Sequence, residues 1–298
     1  MHTFLKRAGD YFLAKVLAAE CKKAGLVTTS VQLSFGHMEY LKSKNASDYS
    51  PEAIIMLHGA AADKTSWIRF ARHLRGKFPL VIPDLPGHGK SIADVGLDYG
   101  IQAQTKRVEE LLAALSVERV HIIANSMGGA VAIHLAAISP DRVSSLVLID
   151  AAGAEASPSW LRQHVARTGS NPMIELRNAS DYRAMMRIGM ETPPYIPGII
   201  IAALARAYVK REAINRKITN DIERDLDQTE NLSSIVAPTL IVWGREDRVL
   251  HVDNAELLHQ RLPNSRKIVM DGIGHVPMVE APKQVAAICS SFFAEMSP

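Results

Sequence analysis

The chain has 298 residues, 47% of them hydrophobic and 22% charged, with a formal net charge of +3. That is the make-up of a globular protein with a large core. It argues against a nucleic-acid partner, because no Lys/Arg run forms a phosphate-tracking stripe. Cys21 and Cys289 stand near opposite ends with no CxxC pair. Neither a disulfide framework nor a metal site is expected, and free thiols suit a reducing compartment, here the cytoplasm.

Residues 1–29 read as an amphipathic helix. Leu5, Ala8, Phe12, Val16 and Ala19 recur at three- and four-residue steps. Lys6, Arg7, Asp10, Lys15, Glu20, Lys22 and Lys23 interrupt the apolar residues. No run therefore approaches the ~20 apolar residues of a bilayer span, and no secretory signal is expected. The apolar face is expected to pack on the body of the protein. The sharper alternative is a helix lying peripherally on the inner membrane surface, its lysines toward headgroups.

Val31 to Phe35 and Met38 to Lys42 read as an edge hairpin joined by Gly36-His37. A polar stretch, Ser43 to Pro51, follows. Continuous apolar runs then appear at Ala53 to Leu57, Leu80 to Pro83, Val120 to Ala124, Leu146 to Ile149, Thr239 to Trp243 and Lys267 to Met270. Such runs read as parallel strands buried on both faces. Helical patterns lie between them at Ser66 to Leu74, Ile101 to Leu115 and Met127 to Ile138. The alternation predicts a mostly parallel sheet flanked by helices, with right-handed crossovers.

The rhythm breaks over residues 154–232, where Pro158, Pro172, Pro193, Pro194 and Pro197 punctuate helical segments rich in Met and Arg. This segment reads as a helical cap, or lid, over the sheet's C-terminal edge. Residues 30–153 and 233–298 then form the core. The apolar run Gly198 to Ala205 either packs on that core or lines an acyl-binding pocket.

The chemistry gathers after strands. Val120 to Ala124 leads into Asn125-Ser126-Met127-Gly128-Gly129, and a helix follows. A sharp strand-to-helix turn lifts the Ser126 hydroxyl clear of the sheet. It also aims the backbone N–H of Met127 at a substrate oxygen. His58-Gly59-Ala60 follows an earlier strand, and the N–H of Ala60 is the candidate second oxyanion donor. Asp84-Leu85-Pro86-Gly87-His88-Gly89 reads as a structural turn. His58 and His88 are read as structural.

Three acids stand at strand ends as partners for a base: Glu246, Asp247 and Asp150. Open α/β sheets collect catalytic groups there. Asp247 is favoured, with Asp150 as the fallback. His275 lies in the glycine-flanked loop Asp271-Gly272-Ile273-Gly274-His275 beyond the last strand. The chain order Ser126, Asp247, His275 is that of a hydrolase triad.

On these strings the sequence resembles the α/β-hydrolase superfamily from about Val31 onward. More narrowly, it resembles bacterial family V lipases and their monoacylglycerol-lipase-like relatives. The shared residues include Asp84-Leu85-Pro86-Gly87, Trp243-Gly244, Asp247-Arg248-Val249-Leu250 and Gly274-His275-Val276-Pro277-Met278-Val279-Glu280. The resemblance implies the α/β-hydrolase fold, a triad of Ser126, Asp247 and His275, and an oxyanion hole at Ala60 and Met127. It implies fatty-acid esters as substrates, phospholipids among them in some relatives, and no cofactor or metal. Ala124 departs from the usual elbow glycine. Ala60-Ala61-Ala62 stands where relatives carry a bulkier residue, so chain-length preference does not carry over.

Two other functions compete. Carbon–carbon bond hydrolases of ring-cleavage products share Asn125-Ser126-Met127-Gly128-Gly129, but usually carry a tryptophan shortly after the histidine, where Val276-Pro277-Met278 stands here. A non-catalytic binding scaffold usually lacks a triad member, and all three are present.

Overall fold

The structure is a computed structural model that describes residues 2–44, 52–76 and 78–296, with side chains from residue 8 onward. Residues 45–51 of the polar stretch lie outside the described residues.

Helix α1 (His2–Ala24) opens the chain. It stops short of residue 29 because Gly25, at φ 69, turns the backbone out of the helix. The spacing predicted the wrong face. Gly9, Leu13, Leu17 and Cys21 turn toward the body, whereas Phe12 and Val16 are 51% and 40% exposed. Gly9 decides this: a Cβ there would lie 2.8 Å from the carbonyl oxygen of Ile199.

Strands β1 (Leu26–Leu33) and β2 (Gly36–Ser43) form the edge hairpin. Its turn is Ser34-Phe35 rather than Gly36-His37, since Leu33 pairs with Gly36. The Glu110 carboxylate fixes that turn by accepting Ser34 Oγ–H at 2.8 Å. Strand β3 (Glu52–Leu57) follows. The helix expected at Ser66 to Leu74 is instead broken into a 3-10 turn, the short α2 (Ile68–Ala71), and a second 3-10 turn. It still buries Trp67 and Phe70 completely.

Strand β4 (Leu80–Pro83), helix α3 (Ile101–Ala114), strand β5 (Arg119–Ser126), helix α4 (Met127–Ile138) and strand β6 (Val143–Ala151) continue the alternation. Between β6 and β7 (Thr239–Gly244) lie α5 (Trp160–Thr168), α6 (Ala179–Gly189), α7 (Gly198–Val209) and α8 (Glu212–Ile222). The chain ends with α9 (Asp253–Arg261), β8 (Ser265–Met270), α10 (Pro277–Glu280) and α11 (Pro282–Met296). Helix α11 buries Val285, Ala286, Cys289, Phe292 and Phe293 against one side of the sheet. Helices α3 and α4 cover the other.

The sheet order is β1-β2-β4-β3-β5-β6-β7-β8. From β4 to β8 the neighbours are parallel, while β1–β2 and β2–β4 are antiparallel. This is the α/β-hydrolase architecture. One strand differs from expectation: β8 is not buried on both faces but alternates, as an edge strand covered on one face does. The order also fixes where a site belongs. The chain leaves β3 toward β4, then returns to β5 on the other side. That switch opens a crevice at the C-terminal ends of β3 and β5.

Candidate active site

Ser126 sits at that switch, the last residue of β5. Its backbone is held at φ 54, ψ −124, a region that non-glycine residues rarely occupy. Close packing holds it there. A Cβ at Gly128 would lie 2.5 Å from the carbonyl oxygen of Leu57 and 2.8 Å from that of His58. Helix α4 therefore starts hard against the end of β3. Met127 is its first residue, where a backbone N–H has no acceptor within the helix.

The loop after β3 faces the serine. A Cβ at Gly59 would lie 2.9 Å from Ser126 Cβ and 3.3 Å from its Oγ. Glycine is the side chain that leaves the hydroxyl room, and Ala60 follows it on the cavity wall. His58 is structural. Its Nδ1 bonds the carbonyl of Gly59 at 2.8 Å, and its Nε2 accepts the Leu85 N–H at 3.0 Å. Burial holds its pKa down, so the neutral ring ties this loop to the Asp84–Gly89 turn. His88 packs edge-on against it at 4.8 Å and is also buried.

His275 and Asp247 meet across the loops after β8 and β7. Asp247 Oδ2 lies 2.8 Å from His275 Nδ1. Asp247 Oδ1 accepts the N–H groups of Val249 at 2.7 Å and Leu250 at 2.9 Å. An ionised carboxylate only accepts, so Nδ1 carries the ring proton and Nε2 is left as the acceptor. Glu246 is elsewhere, its carboxylate accepting the Ile273 N–H at 3.0 Å. Asp150 lies beside the pair: ligand atoms of Asp150, Asp247 and His275 fall within 4.8 Å of one another. The 2.8 Å between His275 and Asp247 is a proton's distance. Tetrahedral ligands at zinc bond lengths stand roughly 3.3 Å apart.

Two residues quoted in the motifs prove to have positions that the sequence did not announce. Asn125 Nδ2 donates to the carbonyls of Ile149 at 3.0 Å and His275 at 3.1 Å, tying the histidine loop to the serine strand. Glu280 accepts N–H groups from Gly274 at 3.0 Å, Glu191 at 3.3 Å and Thr192 at 2.6 Å. It thereby joins the histidine loop to the segment after α6. The His275 N–H also donates to the Gly189 carbonyl at 2.9 Å. Glu191 and Thr192 lie 89 and 88 residues from Glu280 in sequence, and no local pattern links them.

Ser126 and His275 both line a cavity of about 2300 Å³. Met186, Met190, Ile196 and Ile200 line it from the inserted helices, and Leu13 and Leu17 from α1. The run Gly198 to Ala205 thus contributes to the cavity and packs against α1 at Gly9.

Comparison with known proteins identifies the family. The model of the Alpha/beta hydrolase family matches residues 54–288. Lipase 1 of Psychrobacter immobilis is 34% identical over 278 residues, covering 91% of this chain and 86% of the lipase. Monoacylglycerol lipase ABHD6 of Mus musculus is 28% identical, covering 90% of this chain and 84% of its own length. The crystal structure of a membrane phospholipase A, described as a bacterial virulence factor, superposes with a TM-score of 0.92 at 35% identity. It covers 97% of this chain and 92% of the phospholipase. The chain belongs to the α/β-hydrolase family.

Proposed function

We propose that Ser126, His275 and Asp247 are the catalytic triad of a serine carboxylic-ester hydrolase, with the N–H groups of Ala60 and Met127 as its oxyanion hole. The relatives are named for ester hydrolysis, and the chain is an enzyme of that class. The observation that carries the residue assignment is the His275–Asp247 bond at 2.8 Å, which leaves Nε2 as an acceptor in the cavity that Ser126 lines.

In this reading Ser126 Oγ attacks the ester carbonyl while His275 Nε2 takes its proton. Asp247 holds the imidazole in the required tautomer and stabilises the imidazolium. The oxyanion is held by two backbone donors, each contributing on the order of 3 kcal/mol in the transition state. The alcohol leaves with the proton from His275. Water, activated by the same ring, then releases the acid from the acyl-enzyme.

The substrate proposed is an ester with a lipid-like acyl chain. The cavity, at about 2300 Å³, exceeds the roughly 300–1,000 Å³ of ordinary small-molecule pockets, and its methionine and aliphatic walls suit an acyl chain. The inserted helices act as its cap. No helix among the described residues is long and apolar enough to cross a membrane. Tyr11, Phe12 and Val16 stand exposed on α1, beside Lys15. That patch supports peripheral contact of a cytoplasmic enzyme with a membrane surface.

Hydrolysis of p-nitrophenyl esters by the wild type and by Ser126→Ala tests the assignment. The variant is expected to lose activity to near background. Undiminished turnover would refute the role of Ser126.

A further inference from the structure

Asp150 has no part in the mechanism above, yet it lies against the triad. It stands near the end of β6, fully buried. Its backbone is held at φ 42, a left-handed conformation unusual for a residue with a side chain. Its Oδ1 accepts the Gly244 N–H at 2.9 Å. Its Oδ2 is sealed from solvent and receives no protein N–H. A buried carboxyl oxygen left this way calls for an explanation.

The neighbour of that carboxyl is Asp247: one oxygen of each and a ring nitrogen of His275 lie within 4.8 Å of one another. Two ionised carboxylates so placed only accept and repel each other. A proton on one of them removes the repulsion and gives the partnerless Asp150 oxygen a role. Asp247 already receives three donors, Val249 and Leu250 on Oδ1 and His275 on Oδ2, which marks it as the accepting partner, with room for one more donor on Oδ2. Asp150 has a single donor and an unfilled oxygen. We propose that Asp150 is a neutral carboxylic acid that donates its Oδ2 proton to Asp247 and serves as a positioning residue of the triad.

Burial is the main force that pushes the Asp150 carboxyl well above the usual carboxylate range. The charges of Asp247 and Glu280 act the same way, and the Gly244 N–H opposes them. His275 is the other titratable group facing this pair. Neutrality matters for the chemistry. A second carboxylate beside the imidazole would favour imidazolium and hold His275 protonated, unable to take the Ser126 proton. A neutral donor orients Asp247 without adding that charge.

The role in turnover rests on the triad reading; the protonation state does not. The full-length protein and its Asp150→Asn and Asp150→Ala variants separate the two. The infrared difference spectrum of wild type minus Asp150→Asn at neutral pH is expected to show the carbonyl band of a protonated carboxylic acid. Asn supplies an N–H where the acid supplies O–H, so ester hydrolysis should stay within about threefold, with the acid limb of the kcat/KM profile unmoved. Ala supplies nothing, and kcat should fall on the order of a hundredfold with KM little changed.

Stability gives a further readout. The folded state keeps the Asp150 proton after the unfolded chain loses it near 3.8. The stability that this group contributes is present below that pH and is lost as pH rises through the folded pKa. The melting temperature of Asp150→Asn should therefore gain on the wild type as pH rises above 3.8. Absence of the acid band, or an acid limb moved to lower pH in Asp150→Asn, would overturn the proposal. If Ala does not fold, the spectrum and the Asn variant still decide. If the wild type hydrolyses no ester, the triad reading fails, and the spectrum still settles where the proton is.

Discussion

Replacing Asp247 by Asn changes one atom and is expected to stop turnover by reversing a tautomer. The amide has two orientations. Turning its NH2 toward the loop would set it against the N–H groups of Val249 and Leu250, now 2.7 and 2.9 Å from Oδ1. Leaving such donors unsatisfied costs about 1–3 kcal/mol each. Turning the NH2 toward the ring opposes the protons of His275 Nδ1, 2.8 Å away, and of Asp150, both of which can shift, as a backbone N–H cannot. The imidazole relieves that contact by moving its proton to Nε2. Nε2 then cannot accept from Ser126. The same change in a serine protease costs roughly 10⁴ in kcat, about 5.5 kcal/mol at ~1.36 kcal/mol per tenfold. The fold should survive, with a melting temperature lower by roughly 2–4 °C if the loss is near 1 kcal/mol. The assay is kcat and KM on a soluble p-nitrophenyl ester beside a thermal melt. Activity within tenfold of wild type in a folded variant would refute the reasoning and move the acid's role to Asp150.

Other consequences are as direct. Gly59→Ala puts a methyl 2.9 Å from Ser126 Cβ; kcat should fall about a hundredfold for a displacement near 1 Å, with the thermal melt as the control for folding. Burial holds His58 and His88 below their ordinary pKa. The unfolded chain takes up those protons near 6.5 while the fold resists them, so stability is present above that pH and falls below it. Melting temperature against pH should show that fall, and His88→Gln, which keeps a donor and cannot ionise, should lessen it. Tyr11→Ser with Phe12→Ser should weaken binding to anionic vesicles tenfold or more, since each exposed side chain contributes up to ~1.5–3 kcal/mol on burial. Hydrolysis of a soluble ester should be unchanged.

The core was legible because its strands are buried on both faces and read as unbroken apolar runs. Ile54 to Leu57 and Leu146 to Ile149 are all fully buried. The serine turn was legible for a steric reason, since Gly128 and Gly129 must be small where strand and helix meet. What failed depends on distant partners. The face of α1 was misread because Gly9 packs against Ile199, a contact that spacing cannot reveal. The hairpin turn was displaced because Glu110 fixes Ser34. Helix α11 was not among the expected helices, although Val285, Ala286, Cys289, Phe292 and Phe293 recur at helical spacing. Asp150 was identified as an alternate acid at a strand end. Its approach to Asp247 and His275, within 4.8 Å, brings together the ends of different strands, so its relation to the triad appears only in three dimensions.

The central claim is that Ser126 is a nucleophile activated by His275. Its most direct test is covalent labelling of the folded wild type by a fluorophosphonate probe, followed by peptide mass mapping. The triad reading expects one adduct, on Ser126, lost in Ser126→Ala and strongly slowed in His275→Ala. A folded wild type that takes no label, or that carries it on another serine, would contradict it.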